Sequence, residues 1–126
     1  MKTILIVEDN EKNMKLVRDI LRHNGHATIE AATGEEGVRL AIEKRPDLIL
    51  MDIQLPDIGG IEALMRIRQD PTLDAMPVIA VSASVMPDDQ HKIVTSGFDA
   101  FVTKPIDLKH FLGTVQRFLA GGRRSP

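Results

Sequence analysis

Cysteine, tryptophan and tyrosine are absent from this chain of 126 residues, and phenylalanine occurs only four times. Without cysteine there is no disulfide scaffold, no thiol nucleophile and no thiolate zinc site. Aromatic residues make up 3% of the chain, too few for the stacking platforms of single-stranded nucleic-acid binders or for an aromatic sandwich around a flavin ring. An excess of either charge is missing as well. Sixteen Lys and Arg stand against 18 Asp and Glu, a net charge of −2, whereas a generic nucleic-acid or anionic-membrane binder carries a basic surplus. No apolar run approaches the ~18 residues needed to span a bilayer. The first such run, residues 4–7, ends at once in Glu8 and Asp9, unlike a signal peptide. These absences define an expectation: a cytoplasmic protein with no membrane insertion and no direct nucleic-acid binding.

What is present is an ordinary globular balance, 43% hydrophobic and 27% charged residues, in a length that fits one domain. We assign residues 1–120 to that domain and 121–126 (Gly-Gly-Arg-Arg-Ser-Pro) to a flexible tail. Five short apolar runs, at 4–7, 27–32, 48–51, 78–81 and 100–103, alternate with stretches of helical period. Because the runs are continuous rather than alternating, they predict parallel strands covered on both faces.

The helices carry recognisable ends. Asn10 caps the first, which presents Met14, Val17, Ile20 and Leu21, and Gly25 stops it. Thr33 followed by Glu36 is a capping-box pattern, and Pro46 terminates that second helix. Gly59-Gly60 opens the third through Ile61, Leu64, Met65 and Arg68. Pro87 opens the fourth, which Gly97 ends. Asp107 caps a fifth with apolar positions Leu108, Phe111, Leu112, Val115, Phe118 and Leu119. The result is a (βα) unit repeated five times, an open doubly wound α/β sheet.

In such a sheet ligands bind beyond the carboxyl ends of the strands. After the first run come Glu8 and Asp9, after the third Asp52, after the fourth Ser82 and after the fifth Lys104. Each residue alone reads as a cap, a turn residue or surface charge, but parallel strands place all five on one edge. Two carboxylates ~4 Å apart repel by about 4 kcal/mol at an effective dielectric of ~20, so three acids need cations. Lys104 supplies one positive charge. A hard divalent ion on oxygen ligands, Mg²⁺ or Mn²⁺, supplies the rest, and zinc is disfavoured because neither Cys nor a paired-His spacing accompanies the acids. An acid-held divalent ion beside a lysine and a hydroxyl suits a phosphoryl group. One carboxylate can itself be the nucleophile, and Asp52, which interrupts an apolar strand, is the best placed.

The set Val-Glu-Asp-Asn at 7–10, Pro-Asp-Leu-Ile-Leu-Met-Asp-Ile-Gln-Leu-Pro at 46–56, Ser82-Ala83 and Lys104-Pro105 resembles the receiver domain of two-component response regulators. Within that family the chain looks most like single-domain members that carry no output domain, or the receiver of a hybrid histidine kinase. The resemblance implies a flavodoxin-like fold with parallel strand order 2-1-3-4-5. It implies that Asp52 accepts a phosphoryl group from a histidine kinase or histidine phosphotransferase, and that Asp9 ligates Mg²⁺ directly and Glu8 through water. Asp52 and the backbone carbonyl of Gln54 complete the protein ligands. Lys104 contacts the phosphoryl group, and its bond to Pro105 is expected to be cis. Ser82, where the family often has Thr, and Phe101, where it often has Tyr, are the switch residues.

The implied function is a phosphorylation-driven switch rather than an enzyme acting on other substrates. The loop after the fourth strand shifts, and the face of the fourth helix, fifth strand and fifth helix changes for a downstream protein effector, or the phosphoryl group is relayed onward. His91, Lys92, Lys109 and His110 are the candidate exposed participants there, in a monomer or a phosphorylation-dependent dimer. Met14 and Val17 fit either a docking face for the histidine donor or plain core packing. Three rivals compete. An aspartyl-nucleophile phosphohydrolase needs a general acid two residues after the nucleophile, where Gln54 stands. A flavodoxin needs a phosphate loop where Glu8, Asp9 and Glu11 repel phosphate. A receiver-shaped scaffold that is never phosphorylated has no reason to keep all five site residues.

Overall fold

Every apolar run becomes a strand in the computed structural model, which describes residues 2–83 and 86–122. The chain alternates β1 (Thr3–Val7), α1 (Glu11–His23), β2 (Ala27–Ala31), α2 (Gly34–Lys44), β3 (Leu48–Asp52), α3 (Gly59–Arg68), a 3-10 turn (Pro71–Leu73), β4 (Val78–Ser82), α4 (Pro87–Thr95), β5 (Ala100–Thr103) and α5 (Leu108–Gly121). All pairings are parallel, and the order is β2-β1-β3-β4-β5. β1, β3 and β4 are buried along nearly their whole length, while β2 and β5, at the two edges, are only partly covered. That is why the second and fifth apolar runs are the weakest in the sequence.

Period-two alternation sorts the central strands onto two faces. Ile4, Ile6, Leu48, Leu50, Ile79 and Val81 pack with Met14, Val17 and Leu21 of α1 and with Phe111, Val115 and Phe118 of α5. Leu5, Val7, Ile49, Met51, Val78 and Ala80 face Leu40 and Ala41 of α2, Ala63, Leu64 and Ile67 of α3, and Ile93 of α4. Each fully buried large side chain contributes about 1.5–3 kcal/mol relative to exposure. Met14 and Val17 are therefore core residues, and the exposed apolar residue between them is Leu16. The apolar pattern overreached at two positions: Met65 and Leu108 lie more than half exposed, Met65 because the helical period turns it away from the α3 face that buries Ala63, Leu64 and Ile67, and Leu108 because it opens the first turn of α5.

The helix ends obey local chemistry. The Asn10 side chain accepts from the Lys12 and Asn13 N–H groups, and Asp107 accepts from those of Lys109 and His110. Thr33 takes the Glu36 N–H at 3.1 Å, while the Glu36 carboxylate reaches back to the Ala32 N–H at 3.0 Å, one residue beyond the usual reciprocal partner. Pro46 ends α2, with Arg45 left-handed at φ 48° rather than extended; its N–H makes the last helical bond, to the Ala41 carbonyl at 3.1 Å. α5 runs on to Gly121 and is capped by Gly122. The rest of the expected tail, residues 123–126, and Ser84-Val85 of the expected switch loop lie outside the described residues.

Candidate functional site

The parallel ladders continue one residue past the strands and align their carboxyl ends. The Glu8 N–H bonds the Ala31 carbonyl at 2.9 Å, the Ile53 N–H bonds Val81 at 3.1 Å, and the Lys104 N–H bonds Ser82 at 2.8 Å. Asp52 pairs in register with Val81, and Ser82 with Thr103. Glu8, Asp9, Asp52, Ser82 and Lys104 thus share the carboxyl edge of the sheet, as the strand-end argument required. Glu8, Asp52 and Ser82 are the buried polar residues of the described chain, each 5–6% exposed; Asp9 is open to solvent.

The Lys104 ammonium joins the cluster from the far side of the sheet. Its Nζ lies 2.9 Å from Glu8 Oε1 and 3.1 Å from Asp52 Oδ2. The other oxygens meet backbone donors: Glu8 Oε2 accepts from the Asn10 N–H and Asp52 Oδ1 from the Gln54 N–H, both at 3.1 Å. Lys104 is followed by a cis bond to Pro105. Burial raises the Glu8 carboxyl above its ordinary value, and the neighbouring Asp52 adds to that shift. Burial works against the Lys104 charge too, but its hydrogen bonds to Glu8 and Asp52 outweigh this and hold the ammonium above the usual lysine value.

One oxygen each from Glu8, Asp9 and Asp52 lies within 4.8 Å of the others. Three hard oxygen donors at that separation, two of them buried and already needing positive charge, fit a divalent cation of the magnesium class. Beside them a cavity of about 160 Å³ is lined by residues including Ile53, Gln54, Ser82 and Lys92. Phe101, half-buried on β5, packs against the core on the α2–α3–α4 side. His91, Lys92, Lys109 and His110 are all exposed.

Two contributions escape a reading by strand ends. Gly60 sits against the β3 terminus. A Cβ there would fall on the Asp52 carbonyl oxygen and lie 2.9 Å from the Ile53 Cα, so glycine lets α3 start close to the acid. Asp57, in the loop after β3, accepts the Gly34 and Glu35 N–H groups at 2.8 Å each. Neither contact has a local sequence signal beyond the Gly59-Gly60 pair.

The sequence profile described as the response regulator receiver domain matches residues 4–116. The polar-differentiation response regulator DivK of Brucella anthropi is 46% identical over 118 residues, covering 94% of this chain and 96% of that one. DivK of Brucella ovis is 45% identical over the same span. Among solved structures, a response regulator from Chloroflexus aurantiacus superposes with a TM-score of 0.90 at 27% identity, covering 94% of this chain and 98% of its own. The receiver domain of a sensor histidine kinase from Pseudomonas aeruginosa, described with a magnesium ion coordinated in its active-site cleft, gives 0.88 at 31% identity and covers 94% and 98%. A strand order, an acid-and-lysine edge and a profile that spans nearly the whole sequence converge: the chain belongs to the response regulator receiver domains of two-component signalling and is DivK-like among them.

Proposed function

We propose that this protein accepts a phosphoryl group on Asp52 from a phosphohistidine of a kinase or phosphotransferase in the cytoplasm. The reaction depends on magnesium and resets the surface that the chain offers to a protein effector. The observation that carries this reading is the buried Glu8–Lys104–Asp52 nest, with both carboxylates within 3.1 Å of one ammonium and Asp9 beside them. Glu8, Asp9, Asp52 and the Gln54 carbonyl would hold Mg²⁺ (or Mn²⁺), which when bound neutralises phosphoryl oxygens and draws them toward the nucleophile.

A carboxylate oxygen of Asp52 attacks phosphorus, a P–O bond forms, and the P–N bond breaks with its electron pair returning to the imidazole. Lys104 pairs with the transferred oxygens. Ser82, buried on the adjacent strand end, donates its hydroxyl to the same group, and Phe101 repacks inward behind it. The face of α4, β5 and α5, with His91, Lys92, Lys109 and His110, then differs between the two states. Gln54 at the general-acid position keeps the chain a switch rather than a hydrolase.

Incubation with Mg²⁺ and acetyl phosphate, followed by intact mass, tests this. An adduct of one phosphoryl group that needs Mg²⁺ and disappears in Asp52→Ala supports the reading. No adduct, together with no magnesium-dependent response to beryllofluoride, refutes it in favour of an unphosphorylated scaffold.

A further inference from the structure

The loop between β3 and α3 carries Gln54, whose carbonyl is the one proposed metal ligand supplied by backbone rather than by a side chain. A backbone ligand has no rotamer to adjust, so its position is set by whatever holds the loop. At the near end, the Gly60 N–H bonds the Ile53 carbonyl at 2.9 Å. At the far end, the Asp57 carboxylate spreads over the first two N–H groups of α2, Gly34 at Oδ1 and Glu35 at Oδ2. Asp57 lies 23 residues from Gly34 in sequence, and Thr33 already caps the same helix through Glu36. The helix has its own N-cap in Thr33, and Asp57 adds a second one from outside its βα unit. It joins the loop to a different βα unit, whose strand β2 holds the Glu8 N–H through Ala31. A Cβ on Gly34 would meet Ile58 Cγ1 at 2.7 Å, so the loop is seated directly on the helix terminus. Asp57 is exposed; the desolvation it does suffer works against its charge, yet the backbone N–H groups, Glu35 and Gly34 foremost, outweigh it and hold the carboxyl below its usual range.

We infer that Asp57 is a positioning residue: by clamping the β3–α3 loop to the start of α2, it sets the Gln54 carbonyl relative to Glu8 and Asp9 and so sets magnesium affinity. The inference rests on the proposed metal site. It differs from a plain capping role because Thr33 provides an internal control, a cap of the same helix whose hydroxyl bonds the Glu36 N–H of that helix rather than the loop.

The experiment compares wild type, Asp57→Ala, Asp57→Asn and Thr33→Ala by Mg²⁺ titration and by amide hydrogen exchange of the metal-free proteins. Removing outer support for a ligand weakens metal binding about 10-fold at the low end of the usual range, and that is the loss expected for Asp57→Ala. Asp57→Asn keeps one acceptor and falls between. Thr33→Ala leaves the magnesium dissociation constant within about twofold of wild type whatever stability it loses. Metal-free Asp57→Ala exchanges the Gln54 and Gly60 amides faster than Thr33→Ala does. Equal affinities in the Asp57 and Thr33 variants, or unchanged loop exchange, overturn the inference. If Asp57→Ala does not fold, Asp57→Asn is judged by the same comparison. A wild type that binds no Mg²⁺ refutes the proposed metal site instead, and the exchange comparison alone then decides whether Asp57 clamps the loop.

Discussion

Replacing Lys104 by methionine keeps most of the stem and removes the charge that two buried carboxylates share. Deleting one partner of a buried ion pair costs about 3–5 kcal/mol. The Lys104 side chain is 19% exposed, so water reaches the site and the lower part of that range applies. A second limit comes from Glu8, which escapes the uncompensated charge by taking up a proton. Its carboxyl is already raised above the ordinary value of 4.5 by burial and by Asp52. An acid with a raised folded value penalises folding when ionised, and the penalty fades as pH falls toward the unfolded value. Protonating a group of ordinary value 4.5 at pH 7 costs about 3.4 kcal/mol at ~1.36 kcal/mol per unit. This bounds what the Glu8 charge can add. The metal-free variant should therefore lose about 2–3 kcal/mol at pH 7 and less than about 1 kcal/mol at pH 5.

Urea unfolding at both pH values, with and without Mg²⁺, reads this directly. Magnesium should stabilise the variant more than wild type, since a competing positive charge beside the ligands is gone. In wild type, magnesium binding should weaken as pH falls through the raised Glu8 value, above 4.5, because protonated Glu8 no longer offers the ion a negative charge. A variant destabilised equally at pH 5 and pH 7, with no added gain from Mg²⁺, would show that packing of the stem rather than charge was lost.

Three further substitutions probe the frame that carries the site. Gly60→Ala places a Cβ on the Asp52 carbonyl oxygen and should lower stability by more than about 2 kcal/mol and abolish Mg²⁺-dependent phosphorylation. Gly113→Ala in α5 meets nothing within 4 Å and should raise stability by about 0.5–1 kcal/mol; thermal unfolding distinguishes the pair, and equal effects would refute the steric argument. Asp99 accepts the Val78 N–H at 2.8 Å and Arg68 at 3.2 Å, with its side chain 9% exposed. Asp99→Ala should cost about 2–4 kcal/mol in denaturant unfolding while leaving the magnesium affinity of the folded protein unchanged, since it lies at the opposite end of β4.

The features legible in the sequence are those whose partners lie within a few residues. Asn10, Thr33 and Asp107 announce their helices because a cap bonds amides two or three positions on, and the apolar runs announce strands because burial on both faces leaves no room for polar side chains. The short turn at Pro71–Leu73 escapes such a reading although Asp70-Pro71 marks it. Asp70 accepts the Thr72 N–H at 3.0 Å, a signal present but too short to stand out between two larger elements. The five site residues are legible from their positions at or just beyond the strand ends, because parallel strands all finish on one edge of the sheet.

The sequence by itself determined the alternation of strands and helices, the helix ends and the residues delivered to the sheet's carboxyl edge, all properties of local spacing and periodicity. Tertiary structure decided which of them touch. Asp52 and Lys104 are 52 residues apart and meet at 3.1 Å only because β3, β4 and β5 lie side by side. Asp57 and Asp99 carry no local signal of their partners, N–H groups that packing brings in from other βα units. Met65 and Leu108 read as core until packing leaves them outside. Pairing across a sheet joins positions through space, and no short stretch of chain encodes which strand will be its neighbour.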